Sequence, residues 1–194
     1  VEDAADIIEQ VQLGVLDLNP WNARIDDLDH PDELRIDLDP GPGTNYAMAQ
    51  EAASVTKQLL DEIGIAGFIK SSGNRGLHIY VRLQPTHDSV AVRSAAVAVA
   101  RELERRRSDL ITASWWKEER GEKVFADFNQ ANRDRTMAGA YSPRPLPTAT
   151  VSTPLEWDEL EAANPLDQTI LTVPNRLATV GDPWQNFGDQ PGTI

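Results

Sequence analysis

The sequence contains no cysteine. Disulfides, thiolate zinc sites and a cysteine nucleophile are therefore excluded, and the absence fits a reducing compartment. Aromatic residues make up only 6% of the chain. No apolar run approaches the roughly 20 residues that cross a bilayer as a helix, and no signal peptide is visible, so no membrane partner is expected. Positive charge is scarce: 18 Lys and Arg face 31 Asp and Glu, for a net charge of −13. That balance argues against a general nucleic-acid coat protein, whose phosphate contacts need cations, but it leaves room for a local basic patch. Two stretches run against the trend, "RELERRR" at 101–107 and "RDRTMAGAYSPR" at 133–144. The first reads as a solvated helix end, where cations complement the helix dipole.

What is present describes an ordinary globular domain. The 194 residues are 40% hydrophobic and 25% charged, enough to bury a core and consistent with one domain. Helical spacing of Ile7, Ile8 and Val11 predicts a helix over 3–14, stopped at Gly14. "VLDLNPW" (15–21) reads as a short extended piece. Residues 33–39 alternate Leu34, Ile36, Leu38 against Arg35, Asp37, Asp39, the period of a strand. A helix over 45–63 follows, closed by Gly64. "AGFIKSS" and "GLHIYVRL" read as two strands joined by "SGNRG", and 87–107 as a long helix capped by His87 or Asp88. "EKVFADFNQ" is a further strand ending at Asp127, and "PLEWDELEAA" a short helix. From 143 onward the chain is rich in proline and is expected to wrap over the surface. This order predicts an α+β fold with a mixed or antiparallel sheet and helices on one side.

Three stretches carry chemistry. In "DELRIDLDPGPG" (32–43), Asp37 and Asp39 share one strand face. Two like charges about 6–7 Å apart repel unless a cation lies between them, and hard divalent cations take oxygen ligands. Alone, the pair also fits two exposed aspartates at a strand end. Asp127, at the end of "KVFADF", offers a third carboxylate, the number a two-metal site asks for. In "SSGNRGLHIYV" (71–81), Ser72, Arg75, His78 and a glycine-rich turn supply donors able to cradle phosphate; a plain hairpin turn explains the same residues. In "DFNQANRDRTMAGAYSPR" (127–144), Gln130, Asn132, Arg133, Arg135, Tyr141, Ser142 and Arg144 crowd together, and a solvated loop is the plain alternative for Arg133 and Arg135. Arg144 sits between two prolines, a rigid setting for a side chain with no task.

In this order and spacing, these stretches resemble the polymerase domain of bacterial ligase D, in the archaeo-eukaryotic primase superfamily. "LDLNPWNAR", "VSTPLEWDEL" and "GDPW" match the same family outside the site. The resemblance implies a primase-polymerase core with an RRM-like sheet flanked by helices. It further implies a nucleotidyltransferase that adds NTPs or dNTPs to DNA 3′ ends with two Mn²⁺ or Mg²⁺ ions, filling gaps in non-homologous end joining. By the same resemblance Asp37, Asp39 and Asp127 are the metal ligands and catalytic carboxylates. Ser72, His78 and Arg144 hold the nucleotide triphosphate, and Gln130 stands where some relatives have arginine. Asn19 departs from the histidine that many relatives have there. DNA ends or gapped duplexes are the expected partners, with Ku and a DNA ligase alongside, in a bacterial cytoplasm at the nucleoid. Relatives of this kind run to roughly three hundred residues against a usual domain of ~100–200, so the expectation is that 1–194 is a single catalytic domain lacking an N-terminal portion. A metal-dependent nuclease or phosphoesterase, and a catalytically idle DNA-end binding module, remain as alternatives.

Overall fold

A computed structural model describes residues 3–189, 191 and 192. After a first helix, α1 (Ala4–Gln12), the chain forms β1 (Glu33–Pro40), α2 (Tyr46–Glu62), β2 (Phe68–Ser71), β3 (Leu77–Arg82) and α3 (Ser89–Arg106). Then come β4 (Ile111–Thr112), β5 (Val124–Asp127), β6 (Pro154–Leu155) and α4 (Val173–Val180). The six strands make one mixed sheet in the order β4-β5-β1-β3-β2-β6. Only β4 and β5 run parallel; β1 lies antiparallel to both β3 and β5.

Alternation along the strands splits the sheet into two unlike faces, because successive side chains point to opposite sides. One face carries Leu34, Ile36, Leu38, Ile69, Leu77, Ile79, Val81, Val124 and Ala126, all in the buried core. Helices α2 and α3 cover it with Ala49, Ala52, Ala53, Leu59 and Leu60, and with Val92, Ala96, Ala100 and Leu103. The alanines let the helix backbones approach the sheet closely, and each large aliphatic side chain buried there contributes about 1.5–3 kcal/mol. Both helices are capped at their starts: Asn45 accepts from the Met48 amide at 3.1 Å, and Asp88, one of the two caps expected for α3, from the Ala91 amide at 2.8 Å.

The opposite face carries Arg35, Asp37, Asp39, Lys70, His78, Tyr80, Phe125 and Asp127. Its far part is closed by the C-terminal tail: Trp184 packs on Tyr80 at 5.0 Å between ring centres and donates its indole N–H to the Ile69 carbonyl at 3.0 Å. Arg35, fully buried, stacks over Tyr80 and donates to the Pro20 and Trp21 carbonyls, tying the 17–22 segment to the sheet. The rest of this face opens to solvent.

Some elements differ from the sequence-based expectation. "PLEWDELEAA" is not a helix: Pro154 and Leu155 pair with Lys70 and Ile69 as the edge strand, and Glu156 caps a single turn over Trp157–Glu159. "VLDLNPW" forms no strand; only Trp21 makes an isolated bridge, to Thr136. The segment after 143 threads through the structure at Ser152 and Thr153, both buried. The two-residue β4 and helix α4 have no counterpart in the sequence reading. "RELERRR" forms exposed or half-exposed ion pairs, with Arg105 and Arg106 on Glu102 and Arg107 on Asp109. Among the described residues no helix is long and apolar enough to cross a membrane.

Candidate active site

The pairing register brings four chemically active side chains into one row across the open face. Asp37 lies opposite Asp127 on β5 and opposite His78 on β3, and His78 lies opposite Lys70 on β2. Asp39, two residues along β1, shares the face. Pro40 ends β1 immediately beyond it, leaving both carboxylates at the sheet's edge of order.

A polar cleft of about 280 Å³ opens over this row. Six of the sequence-predicted residues line it: Asp37, Asp39, Ser72, His78, Gln130 and Arg144. Asp127 faces instead, together with Asp39, an adjoining hollow of about 380 Å³ walled by Trp115, Trp116, Lys117 and Arg120. The three carboxylates are thus neighbours by register, with Asp39 on both walls. Among the described residues, as the side chains stand, no three His, Asp or Glu groups converge closely enough to hold one ion. Asp127 is held in place locally: its Oδ1 accepts the Asn129 amide at 2.8 Å and its Oδ2 the Gln130 side chain at 3.4 Å.

The turn between β2 and β3 is built to hold its shape. The Ser72 hydroxyl accepts from the amides of Asn74 and Gly76 at 3.2 and 3.1 Å, an ST-type turn. Gly73 has φ +71°, and a Cβ there would stand 2.5 Å from Cγ of Arg144. Gly76 leaves no room either, because a Cβ would meet the Leu38 carbonyl at 2.6 Å. The turn therefore packs directly against Arg144 on one side and β1 on the other. Arg144 is oriented by Asp17, whose Oδ1 accepts from its Nη1 at 3.2 Å, while its buried Nε has no partner. Asn19 lines the cleft beside it. The buried Oε1 of Gln130 is also unpartnered. Arg133 is engaged elsewhere, in an exposed pair with Asp29 at 2.7 Å, and neither it nor Arg135 lines the cleft.

The row is electrostatically strained. Burial, then repulsion from Asp127 and Asp39, pushes Asp37 well above the usual carboxylate range, against the opposing pull of Lys70 and Arg144. Burial also raises Asp127, offset by its bonds to Asn129 and Gln130. Burial first, then the charges of Lys70, Arg144 and Arg35, pushes His78 well below the ordinary imidazole value. His78 sits between the two ends of this charge pattern, with Nε2 3.6 Å from Asp37 Oδ1 and Nδ1 2.8 Å from Lys70 Nζ.

The sequence reading missed Lys70 and Asp17. Lys70 was legible in principle: within "GFIKS" it falls on the strand face opposite Ile69, so a lone lysine on a buried strand points at the site face. Asp17 carried no local signal, because its partner lies 127 residues away.

An open-faced mixed sheet bearing this row is the plan of a DNA polymerase domain. The polymerase domain from Mycobacterium tuberculosis ligase D, solved in complex with DNA, matches this structure with a TM-score of 0.87 at 29% identity. The match covers 98% of this chain and 70% of that one. Residues 1–184 match the family model described as the LigD primase-polymerase domain, and the chain belongs to that family. It is 30% identical over 190 residues to the multifunctional non-homologous end joining protein LigD of Pseudomonas aeruginosa, covering 96% of this chain and 23% of that protein. It is 33% identical over 165 residues to the bifunctional non-homologous end joining protein LigD of Bacillus subtilis, covering 83% of this chain and 27% of that one. The chain therefore spans about a quarter of the length of these relatives.

Proposed function

We propose that this chain is a DNA-dependent nucleotidyltransferase that adds NTPs or dNTPs to DNA 3′ ends, for gap filling and end processing in non-homologous end joining. The observation that carries this reading is the cross-strand row Asp127–Asp37–His78: Asp37, Asp39 and His78 line one cleft with Ser72 and Arg144, and Asp127 faces the hollow that Asp39 shares with that cleft. Family membership supports the same reading. On it, DNA ends or gapped duplexes and nucleoside triphosphates are the ligands, and Ku and a DNA ligase are the partners in joining.

The donor set fits divalent cations. Asp37, Asp39 and Asp127 offer only hard oxygen ligands, as Mg²⁺ and Mn²⁺ prefer. Their mutual repulsion, visible in the raised Asp37, is relieved by positive charge placed among them. These three residues would hold the ions. Bound there, Mn²⁺ or Mg²⁺ supplies activation of the primer 3′-hydroxyl and charge neutralisation on the triphosphate.

The chain's own groups do the rest. The Ser72 turn spends its Asn74 and Gly76 amides on the Ser72 hydroxyl oxygen, which leaves the hydroxyl proton to be given to a phosphate oxygen, and its rigidity holds that donor in place before the nucleotide arrives. His78, kept neutral by its burial, donates one N–H. Arg144 contributes a guanidinium whose Nε has no protein partner. Gln130 offers a carbonyl with no partner at the mouth of the cleft, suited to a hydroxyl or base donor. No covalent nucleophile is needed for in-line phosphoryl transfer.

Primer extension tests the reading. Asp37→Ala and Asp39→Ala are each expected to abolish nucleotide addition while leaving the circular-dichroism spectrum unchanged. A labelled strand that shortens under the same conditions indicates the nuclease or phosphoesterase chemistry instead. DNA binding without extension, indifferent to all three aspartates, indicates an idle end-binding module.

A further inference from the structure

Lys70 lies fully buried at the inner end of the row, and the groups its Nζ touches are electron-rich. Its Nζ makes a close contact with the Ser152 hydroxyl, stands 2.8 Å from His78 Nδ1 and lies 5.6 Å from the centre of the Tyr80 ring, a face that attracts cations. The Ser152 hydroxyl gives its own proton to the Ser71 carbonyl at 2.8 Å, so it can only accept from Lys70. Burial, against the pull of Asp37 and with the push of Arg35 and Arg144, holds the Lys70 amine well below the usual lysine range. Charged or neutral, Nζ keeps an N–H to give to His78 Nδ1 after serving Ser152, while Nε2, 3.6 Å from Asp37 Oδ1, has a carboxylate facing its own N–H.

We infer that Lys70, braced by Ser152, is a positioning residue that fixes His78 as the Nε2–H tautomer and aims that N–H into the cleft. This inference rests on the nucleotide-binding reading of the cleft. Nε2 is the ring nitrogen that faces Asp37 and the open volume. With its proton there, the imidazole offers a neutral, directed donor to an anionic oxygen of the incoming triphosphate. With the proton on Nδ1, the same nitrogen would present a lone pair to that oxygen and to Asp37. The buried lysine thus decides whether the row attracts or repels phosphate at this point. The strand register is what makes this arrangement work, since Lys70, His78 and Asp37 are consecutive cross-strand neighbours.

Nitrogen-15 NMR of the histidine rings, on protein free of nucleotide, reads the tautomer directly. The wild-type chain is expected to show His78 protonated at Nε2 with Nδ1 as the acceptor. Lys70→Met and, separately, Ser152→Ala are expected to weaken or reverse that preference. In extension assays Lys70→Met is expected to raise the KM for nucleotide about 10- to 100-fold, the scale of a lost hydrogen bond to a charged group, with a smaller change in kcat. An Nδ1–H tautomer in the wild-type chain overturns the inference, whether or not either variant folds. So does an unchanged KM in a folded Lys70→Met protein whose His78→Ala counterpart has lost nucleotide affinity. If His78→Ala binds and adds nucleotide normally, the nucleotide-binding reading of the cleft fails instead, and the tautomer measurement still stands by itself.

Discussion

At the residue scale, the site is a set of groups held where they are unstable without a ligand. Asp37 shows this most clearly, since burial and two neighbouring carboxylates favour its protonated form. Asp37→Asn is therefore expected to stabilise the metal-free protein at neutral pH while removing nucleotide addition. The expected rise in Tm is roughly 2–4 °C, the shift that about 1 kcal/mol produces in a chain of this size. The sign depends on pH. Below the ordinary carboxylate pKa, Asp37 carries its proton in both folded and unfolded chains, and the substitution is neutral. Above it, the unfolded chain releases the proton more readily than the folded one, so the gain grows as pH rises. Thermal melts in EDTA across about pH 4–8 check this; a Tm lowered at neutral pH would contradict it. Gly73 gives a second test. Its φ of +71° and the 2.5 Å approach to Arg144 leave no place for a methyl group. Gly73→Ala is expected to displace Arg144 and raise the KM for nucleotide at least about tenfold, the scale of one charge-assisted contact. Steady-state kinetics on the folded variant read this out.

At the element scale, the four longer strands were legible and the two-residue ones were not. Alternation in "LRIDLD" and "LHIYV" is strict, so β1 and β3 and the face each residue takes follow from period two alone. Helix α2 follows from apolar spacing closed by Gly64, and α3 from its length and its Asp88 cap. Asp88→Ala is expected to cost about 1 kcal/mol of stability by urea unfolding, while leaving extension unchanged, because the cap lies at an exposed helix start away from the cleft. β4 escaped notice because two residues cannot display a period. "PLEWDELEAA" misled because its acidic and apolar residues mimic an amphipathic helix. Its first two residues are claimed by the edge of β2, and its Trp157 indole by the Gly67 carbonyl at 2.7 Å, partners far away in sequence. The three motif stretches were readable because each packs its chemistry into a few consecutive residues. Lys70 and Asp17 were not, because their meaning comes from the register and from a contact across the chain.

At the scale of the whole molecule, an acidic chain that sets a few of its cations at one cleft and the hollow beside it is a particular kind of DNA partner. Arg75 and Arg144 line the cleft, and Lys117 and Arg120 the hollow beside it, in a chain that carries 31 acidic against 18 basic residues in all. With about four cations available and a slope near −0.9 per phosphate neutralised, DNA-end affinity is expected to fall with salt no more steeply than about −4 on logarithmic axes. Fluorescence anisotropy over a salt series measures it, and a much steeper slope would place the DNA on a different surface. The fold puts this cleft on the one sheet face that the helices leave open, so the chemistry and the core occupy opposite sides of the same six strands. The most direct test of the whole account is extension of a labelled primer on a gapped duplex with a 5′-phosphate, supplied with Mn²⁺ and each nucleoside triphosphate in turn. Growth of the strand by successive nucleotides, lost when Asp37, Asp39 and Asp127 are all replaced by asparagine, is the predicted result. Growth that survives the triple replacement, or no growth with any nucleotide by the intact chain, would contradict it.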